Sequence, residues 1–157
     1  MATFKLFLCA VLIAFVAPVS GATFQIGYAW TFGELASKSD VVIVATPVRT
    51  SDSGTKTDIT VLQGLPVVEM DTEFKLLLVL KGIVPDEFVL RHYRLDKENM
   101  KGACINCGTQ LDFASADEPR AYLLFLKSNP DGRYEPTSGQ LFPTHSVLLI
   151  QSTIPVR

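Results

Sequence analysis

The sequence predicts a mainly β protein: five or six strands and one short amino-terminal helix, wrapped into a closed or nearly closed barrel behind a cleavable export signal. Three observations carry this reading. Apolar and polar residues alternate with period two over residues 68–81, as in a long strand with one face in a core. Two other runs, residues 41–44 and 123–126, are apolar throughout, as strands covered on both faces are. Strand-like segments recur at short spacing with turn residues between them, and a small sheet closed on itself leaves few free edges.

Residues 1–22 have the build of a signal peptide: Lys5 at the start, an apolar run over residues 6–16, Pro18 closing it, then the small residues Ser20-Gly21-Ala22. The run is shorter than the ~20 residues a membrane span needs. Cys9 lies inside it, where a lipid-modified cysteine would not be placed, and reads as apolar filler. The mature chain is therefore expected to begin near Thr23 and to form one domain over residues 23–157, secreted or periplasmic and without a stable membrane anchor. The full chain carries a net charge of −2 with no run of like charges, which argues against nucleic acid or an anionic membrane as its main partner.

Taken in order, Thr31-Phe32-Gly33-Glu34 has the Ser/Thr-x-x-Glu form of a capping box, and Phe32, Leu35 and Ala36 share one face of the helix that would follow. Lys38 sits at its end, where the dipole favours a cation. Tyr28 and Trp30 ahead of it read as packing anchors. The β-branched run 41–44 is a strand ending at Pro47, and residues 50–57 (TSDSGTKT) read as a polar loop. Residues 59–62 make a short strand turned at Gly64. In the long strand 68–81, Val68, Met70, Thr72, Phe74, Leu76, Leu78 and Leu80 form the core face. Leu77 and Val79 on the other face call for cover, and Gly82 and Pro85 break the strand. Residues 87–94 alternate again, residues 120–127 form a buried strand, and Asn129-Pro130-Asp131-Gly132 makes a turn from which residues 133–135 return antiparallel. Residues 147–151 form a last strand.

The one motif with specific chemistry is Cys104-Ile105-Asn106-Cys107, which holds the only cysteines after the signal. Three readings stand: a local disulfide formed on export, a redox-active pair, or part of a zinc site with His92 and His145. Neither a preceding strand nor a following helix frames the pair as thioredoxin-like sites require, and the two histidines lack the short mutual spacing of structural zinc sites. Without metal, His92 is a strand residue and His145 a loop residue. Glu69, Asp71 and Glu73 share a strand face, as glycosidase carboxylates might be arrayed, or as any solvated strand face is. Arg91, Tyr93 and Arg94, with Tyr134, are candidates for a basic and aromatic binding face; the alternative is outward strand residues and aromatic cover of the core. No nucleophile elbow, dinucleotide fingerprint, phosphate loop or metalloprotease helix occurs, so no catalytic residue and no cofactor is assigned.

Three pieces in order carry a family resemblance: Ser39-Asp40-Val41-Val42-Ile43-Val44-Ala45-Thr46-Pro47-Val48, the strand from Phe74 ending Leu80-Lys81-Gly82, and Tyr122-Leu123-Leu124-Phe125-Leu126 followed by Asp131-Gly132-Arg133-Tyr134. Together they resemble the oligonucleotide/oligosaccharide-binding (OB) type barrel of the tissue inhibitors of metalloproteinases and netrin-like modules, and more closely its exported bacterial relatives. The resemblance spans about residues 35–139 and implies a five-stranded OB-like barrel acting as an exported interaction module. It carries over no inhibitory residue: those inhibitors chelate the protease zinc through a mature amino-terminal Cys, and no cysteine lies between Thr23 and Cys104. The expectation is a non-enzymatic exported module binding a protein or glycan. A thiol or zinc protein working through Cys104 and Cys107, and a protease inhibitor lacking the chelating cysteine, are the alternatives.

Overall fold

A computed structural model describes residues 29–59, 65–100, 109–113 and 120–150. The export signal, Tyr28, most of the short strand expected at 59–62, and the Cys104/Cys107 pair lie outside these residues.

The chain enters through α1 (Phe32–Lys38), capped as its sequence requires: the Glu34 amide donates to Thr31 Oγ1 (3.2 Å) and the Thr31 amide donates to Glu34 Oε2 (2.9 Å). Six strands follow: β1 (Val41–Ile59), β2 (Leu65–Lys81), β3 (Glu87–Leu95), β4 (Ala121–Ser128), β5 (Tyr134–Pro136) and β6 (Val147–Ile150). Five of them form a hydrogen-bonded ring in the order β1-β2-β3-β5-β4, which closes because β4 pairs with β1 from Val41↔Leu126 to Ala45↔Tyr122. Every contact in the ring is antiparallel except β3 with β5, which run parallel and meet at Leu90↔Tyr134. β6 shares with β5 the edge of β4 that faces away from β1.

The ring's interior is the core. Ile43, Ala45, Phe74, Phe88, Leu90, Leu124 and Leu126 are buried there, and Phe74 organises its aromatic part. Its ring stacks on Phe88 at 5.5 Å and meets the edges of Phe113 at 5.1 Å and Tyr122 at 6.5 Å. β4 is buried on both faces because α1 lies on its outer side: Leu35, Val42 and Phe125 make a second, smaller cluster with Trp30 packed against it. Trp30 is thus a packing residue, and the Lys38 ammonium sits 4.7 Å over its ring.

The structure revises three expectations. Residues 50–57 are not a loop but the outer half of β1, laddered onto β2 from Thr50↔Thr72 through Ile59↔Leu65. The strand also does not stop at Pro47. Proline cannot donate to the ladder, and Pro47 sits at a register shift that leaves Val48 exposed. Another register shift, between Asp52 and Lys56, absorbs Gly54, at φ +77°, whose amide donates to Asp52 Oδ1 (2.7 Å). The Ser-Gly punctuation therefore marks an irregularity within a strand rather than its end.

The second revision concerns the far half of β2. Val68, Met70, Thr72 and Phe74 are buried as the alternation predicts, but Leu78 (54% exposed) and Leu80 (58%) are not. Pairing with β3 ends at Lys75↔Glu87, with one further bond from the Leu76 amide to the Asp86 carbonyl, and beyond that β2 pairs only with β1, where register shifts fall at Leu77 and Leu80. Nor does any described element cover Leu77 (56%) or Val79 (40%). Gly82 then turns the chain at φ +83°, hard against the strand entry: a Cβ there would lie 2.4 Å from the Asp40 carbonyl oxygen.

The third revision is on the outer face of the near half. Glu69, expected on a solvated row, is 8% exposed. The reason is an arginine from another strand.

Candidate functional site

The outward residues of β2 and β3 face a turn that the ring brings from the far side of the sequence. In β3, Phe88, Leu90 and His92 point inward, so Arg91 and Tyr93 point outward, across from Asp71 and Glu69 of β2. The Asn129–Gly132 turn, tightened by Gly132 at φ +82°, lays Arg133 over that pair of acids. Arg133 Nη1 donates to Glu69 Oε1 (2.7 Å) and to Asp71 Oδ1 (3.1 Å), while Nη2 reaches Asp131 Oδ2 (2.9 Å). Arg91 lies alongside, 3.5 Å from Asp131 and 3.6 Å from Glu135, and its backbone carbonyl accepts from Gln140 Nε2 (3.2 Å). Tyr93 completes the face by donating its hydroxyl to Glu69 Oε2 (3.3 Å).

The consequence is an ordered network of four carboxylates and two guanidinium groups, with an excess of negative charge. Bonding to Glu69 in the first place, then to Asp131 and Asp71, outweighs desolvation and holds the Arg133 guanidinium charged. The Arg133 backbone amide and side chain hold the Asp131 carboxyl below its usual range. Burial, with the Glu69 charge beside it, pushes the Tyr93 phenol up. These groups are fixed by one another before any ligand arrives. They offer a shaped, acid-rich hydrogen-bonding platform and no activated nucleophile.

The four residues expected to form a basic and aromatic face are split. Arg91 and Tyr93 share the platform. Arg94 has the opposite parity and leaves the core at the end of β3, where it approaches Asp52 at 3.5 Å. Tyr134 is buried in the core with its ring edge-on to Phe88 at 5.5 Å, so it is a core residue and not part of the face. Arg133, Asp131 and Glu135 belong to the platform, and the sequence reading did not single them out as site residues. Their signal was present: an arginine directly after a tight turn, in a strand that returns toward a row of acids.

Beside the platform, Arg94 and Lys56 line a groove of about 470 Å³ with Asp52, Asp96, Lys97 and Glu98. Its charges are matched, since Lys56 reaches Asp96 at 3.3 Å and Arg94 reaches Asp52. Asn99 donates to Asp96 Oδ2 (2.6 Å) and holds that buried carboxyl below its ordinary range. At the other end of the face, Glu73 is held by Arg49.

The two histidines sit in different surroundings. His92 is buried in the core, with Nε2 2.9 Å from Thr72 Oγ1, which is in turn 2.9 Å from Thr50 Oγ1. Its ring meets Phe113 edge-on at 5.3 Å, and burial lowers its pKa to about 4. His145 ends a 3₁₀ turn (Pro143–His145) and stacks on Phe142 at 5.8 Å. Among the described residues, no group of three or more His, Cys, Asp or Glu side chains is placed to hold a metal ion. Cys104 and Cys107 lie outside these residues. Searches of protein-family models and of curated proteins return no match to this chain.

Proposed function

We propose that this chain is an exported, non-enzymatic binding module with an OB-like barrel, and that it engages a protein partner through the outer face of β2, β3 and β5. The ring order β1-β2-β3-β5-β4-β1, with its single parallel contact between β3 and β5, supports the OB-like reading. The export reading rests on residues 1–22. The observation that carries the binding role is the Arg133-centred network. It keeps six charged side chains organised on a partly exposed surface.

The acid excess of that network favours a basic partner surface, and organisation in advance lowers the ordering cost of binding. A glycan, which would read the same carboxylates through its hydroxyl groups, is the competing ligand. The test is a binding measurement on purified mature protein. Candidates from the culture's exported fraction and a glycan array would be compared between wild type and Asp71→Lys, with Leu149→Lys as a control elsewhere. Capture that weakens with salt and is lost only in Asp71→Lys supports the reading. Glycan capture alone replaces the protein partner, and capture indifferent to Asp71 removes the face from the function. Amino-terminal sequencing of the exported protein tests the signal independently, with Thr23 as the expected first residue.

A further inference from the structure

Residues 109–113 pack on the core without joining any strand. Leu111 is buried there, and Phe113 sits among three rings: Phe74 at 5.1 Å, His92 at 5.3 Å and Tyr122 at 5.3 Å. Thr109, Gln110 and Asp112 are exposed. One backbone bond ties the segment to another described residue, from the Thr109 amide to the Leu141 carbonyl (3.1 Å), and beside it the Thr109 and Thr144 hydroxyls are 2.8 Å apart. β2 and β3, by contrast, are laddered from Val67↔Leu95 to Lys75↔Glu87. The His92 ring against Phe113 has Nε2 on Thr72 Oγ1 (2.9 Å), while Nδ1 is buried and has no hydrogen-bond partner among the described residues. An imidazolium carries an N–H on both nitrogens, so protonation in place leaves one donor without an acceptor and a charge without a counter-ion.

We infer that residues 109–113 are an acid-released strap: protonation of His92 lifts the segment, admits water to the ring and uncovers the aromatic part of the core while β2 and β3 stay laddered. The charged groups of the surrounding elements do not stand in the way. Glu69, Asp71, Arg91 and Tyr93 lie on the opposite face of the sheet, and Asp112 in the strap itself is exposed. Asp52 and Asp96 are held by Arg94 and Lys56, and on the core side stand the phenols of Tyr122 and Tyr134. Burial alone lowers the His92 pKa, to about 4. Lifting the strap is the least costly way to hydrate the ring, because it breaks one described backbone bond where parting β2 from β3 breaks a ladder. With the strap lifted, His92 takes its proton near the ordinary 6.5, so opening is favoured on the order of 20-fold more at pH 5 than at pH 7. Acid opens the strap and neutral pH closes it. The Arg133 platform lies on the outer face, so the strap does not depend on the binding role proposed above.

The test titrates His92 by NMR in the purified mature chain, its signal identified by its loss in His92→Gln. The wild-type ring is expected to titrate near 4. In Phe113→Ala, with circular dichroism unchanged, it is expected to move up toward 6.5, because the strap has lost its anchor. A wild-type ring that titrates near 6.5 overturns the inference, as does a folded Phe113→Ala whose ring still titrates near 4. Pepsin at pH 4.5, which cuts beside leucine and aromatic residues in loosened segments, decides the case in which Phe113→Ala does not fold. The first cut in the wild type is expected within residues 111–113, and roughly 80-fold more slowly in His92→Gln at the same pH. Equal rates in the two proteins, or cuts within β1, β2 or β3 that arise as early, overturn the inference as well.

Discussion

The two halves of β2 differ in pattern and in fate: residues 68–75 alternate apolar and polar, whereas residues 76–80 are apolar throughout. Over residues 67–75 the strand is paired on both edges. Its inner face lies in the aromatic core, and the Arg133 network holds the acids of its outer face. Over residues 77–81 it is paired on one edge and has neither face covered by a described element. Period two states which residues share a face, but burial depends on what the rest of the fold brings to that face. Only the first half has β3 along its second edge and Arg133 over its outer face.

The comparison breaks most visibly under truncation. Phe74→Ala removes a fully buried ring with three aromatic contacts and is expected to cost ~3–5 kcal/mol of unfolding free energy in urea titrations. Leu80→Ala is expected to change it by less than ~0.5 kcal/mol. Equal losses at the two sites would mean that the far half is covered in the single chain.

Acid sharpens the same contrast from inside the ring. His92 faces Thr72 and Phe113 and has a folded pKa of about 4 against an ordinary 6.5. Between those values the unfolded chain binds a proton that the folded chain refuses. Stability is therefore full above pH 6.5, falls as the pH drops toward 4, and loses ~3 kcal/mol in all from this group. Asp131 and Asp96, whose carboxyls are held below their usual range, lose their contribution at still lower pH. Urea midpoints across this range are expected to slope in the wild type and to flatten between pH 6.5 and 4 in His92→Gln.

On the outer face, Arg133→Met leaves Glu69 buried without its partner and is expected to cost ~1–3 kcal/mol, seen as a lower urea midpoint at unchanged slope. The double variant Glu69→Gln/Arg133→Met is expected to recover part of that loss, because the uncompensated charge is gone. Full additivity would show that Arg133 and Glu69 do not act as a pair.

Much of the ring was legible in residues whose chemistry is local. The capping box at Thr31 and Glu34, the apolar strand at Leu124–Leu126 and the turn closed by Gly132 each follow from a few neighbouring side chains. What sequence could not supply was everything decided across the chain. Residues 50–57 look like a loop until β2 offers them a ladder, and a bulge takes up Gly54. Glu69 looks solvated until Arg133, 64 positions later, reaches it. Tyr134 looks like a surface aromatic until its strand is placed parallel to β3, where its ring turns inward onto Phe88. The platform is entirely of this second kind. Its residues come from three strands and a turn, and its one local signal is the arginine that follows the turn at Gly132.

The smallest expected effect separates a stabilising residue from its neighbours within the far half itself. Lys81 ends β2, yet its ammonium sits among the carbonyls of Ala36, Ser37 and Ser39, which the last turn of α1 leaves without helical partners. A cation there satisfies those carbonyls and complements the negative end of the helix dipole. Lys81→Met keeps the aliphatic stem and removes only the charge and its hydrogen bonds, so it is expected to cost ~1 kcal/mol. That is more than Leu80→Ala beside it, although Leu80 has the larger apolar side chain. If the two variants unfold at the same urea concentration, the helix end is satisfied by water and the far half of β2 does nothing for the folded chain. If Lys81→Met is the weaker, this half-strand is anchored to α1 through one side chain.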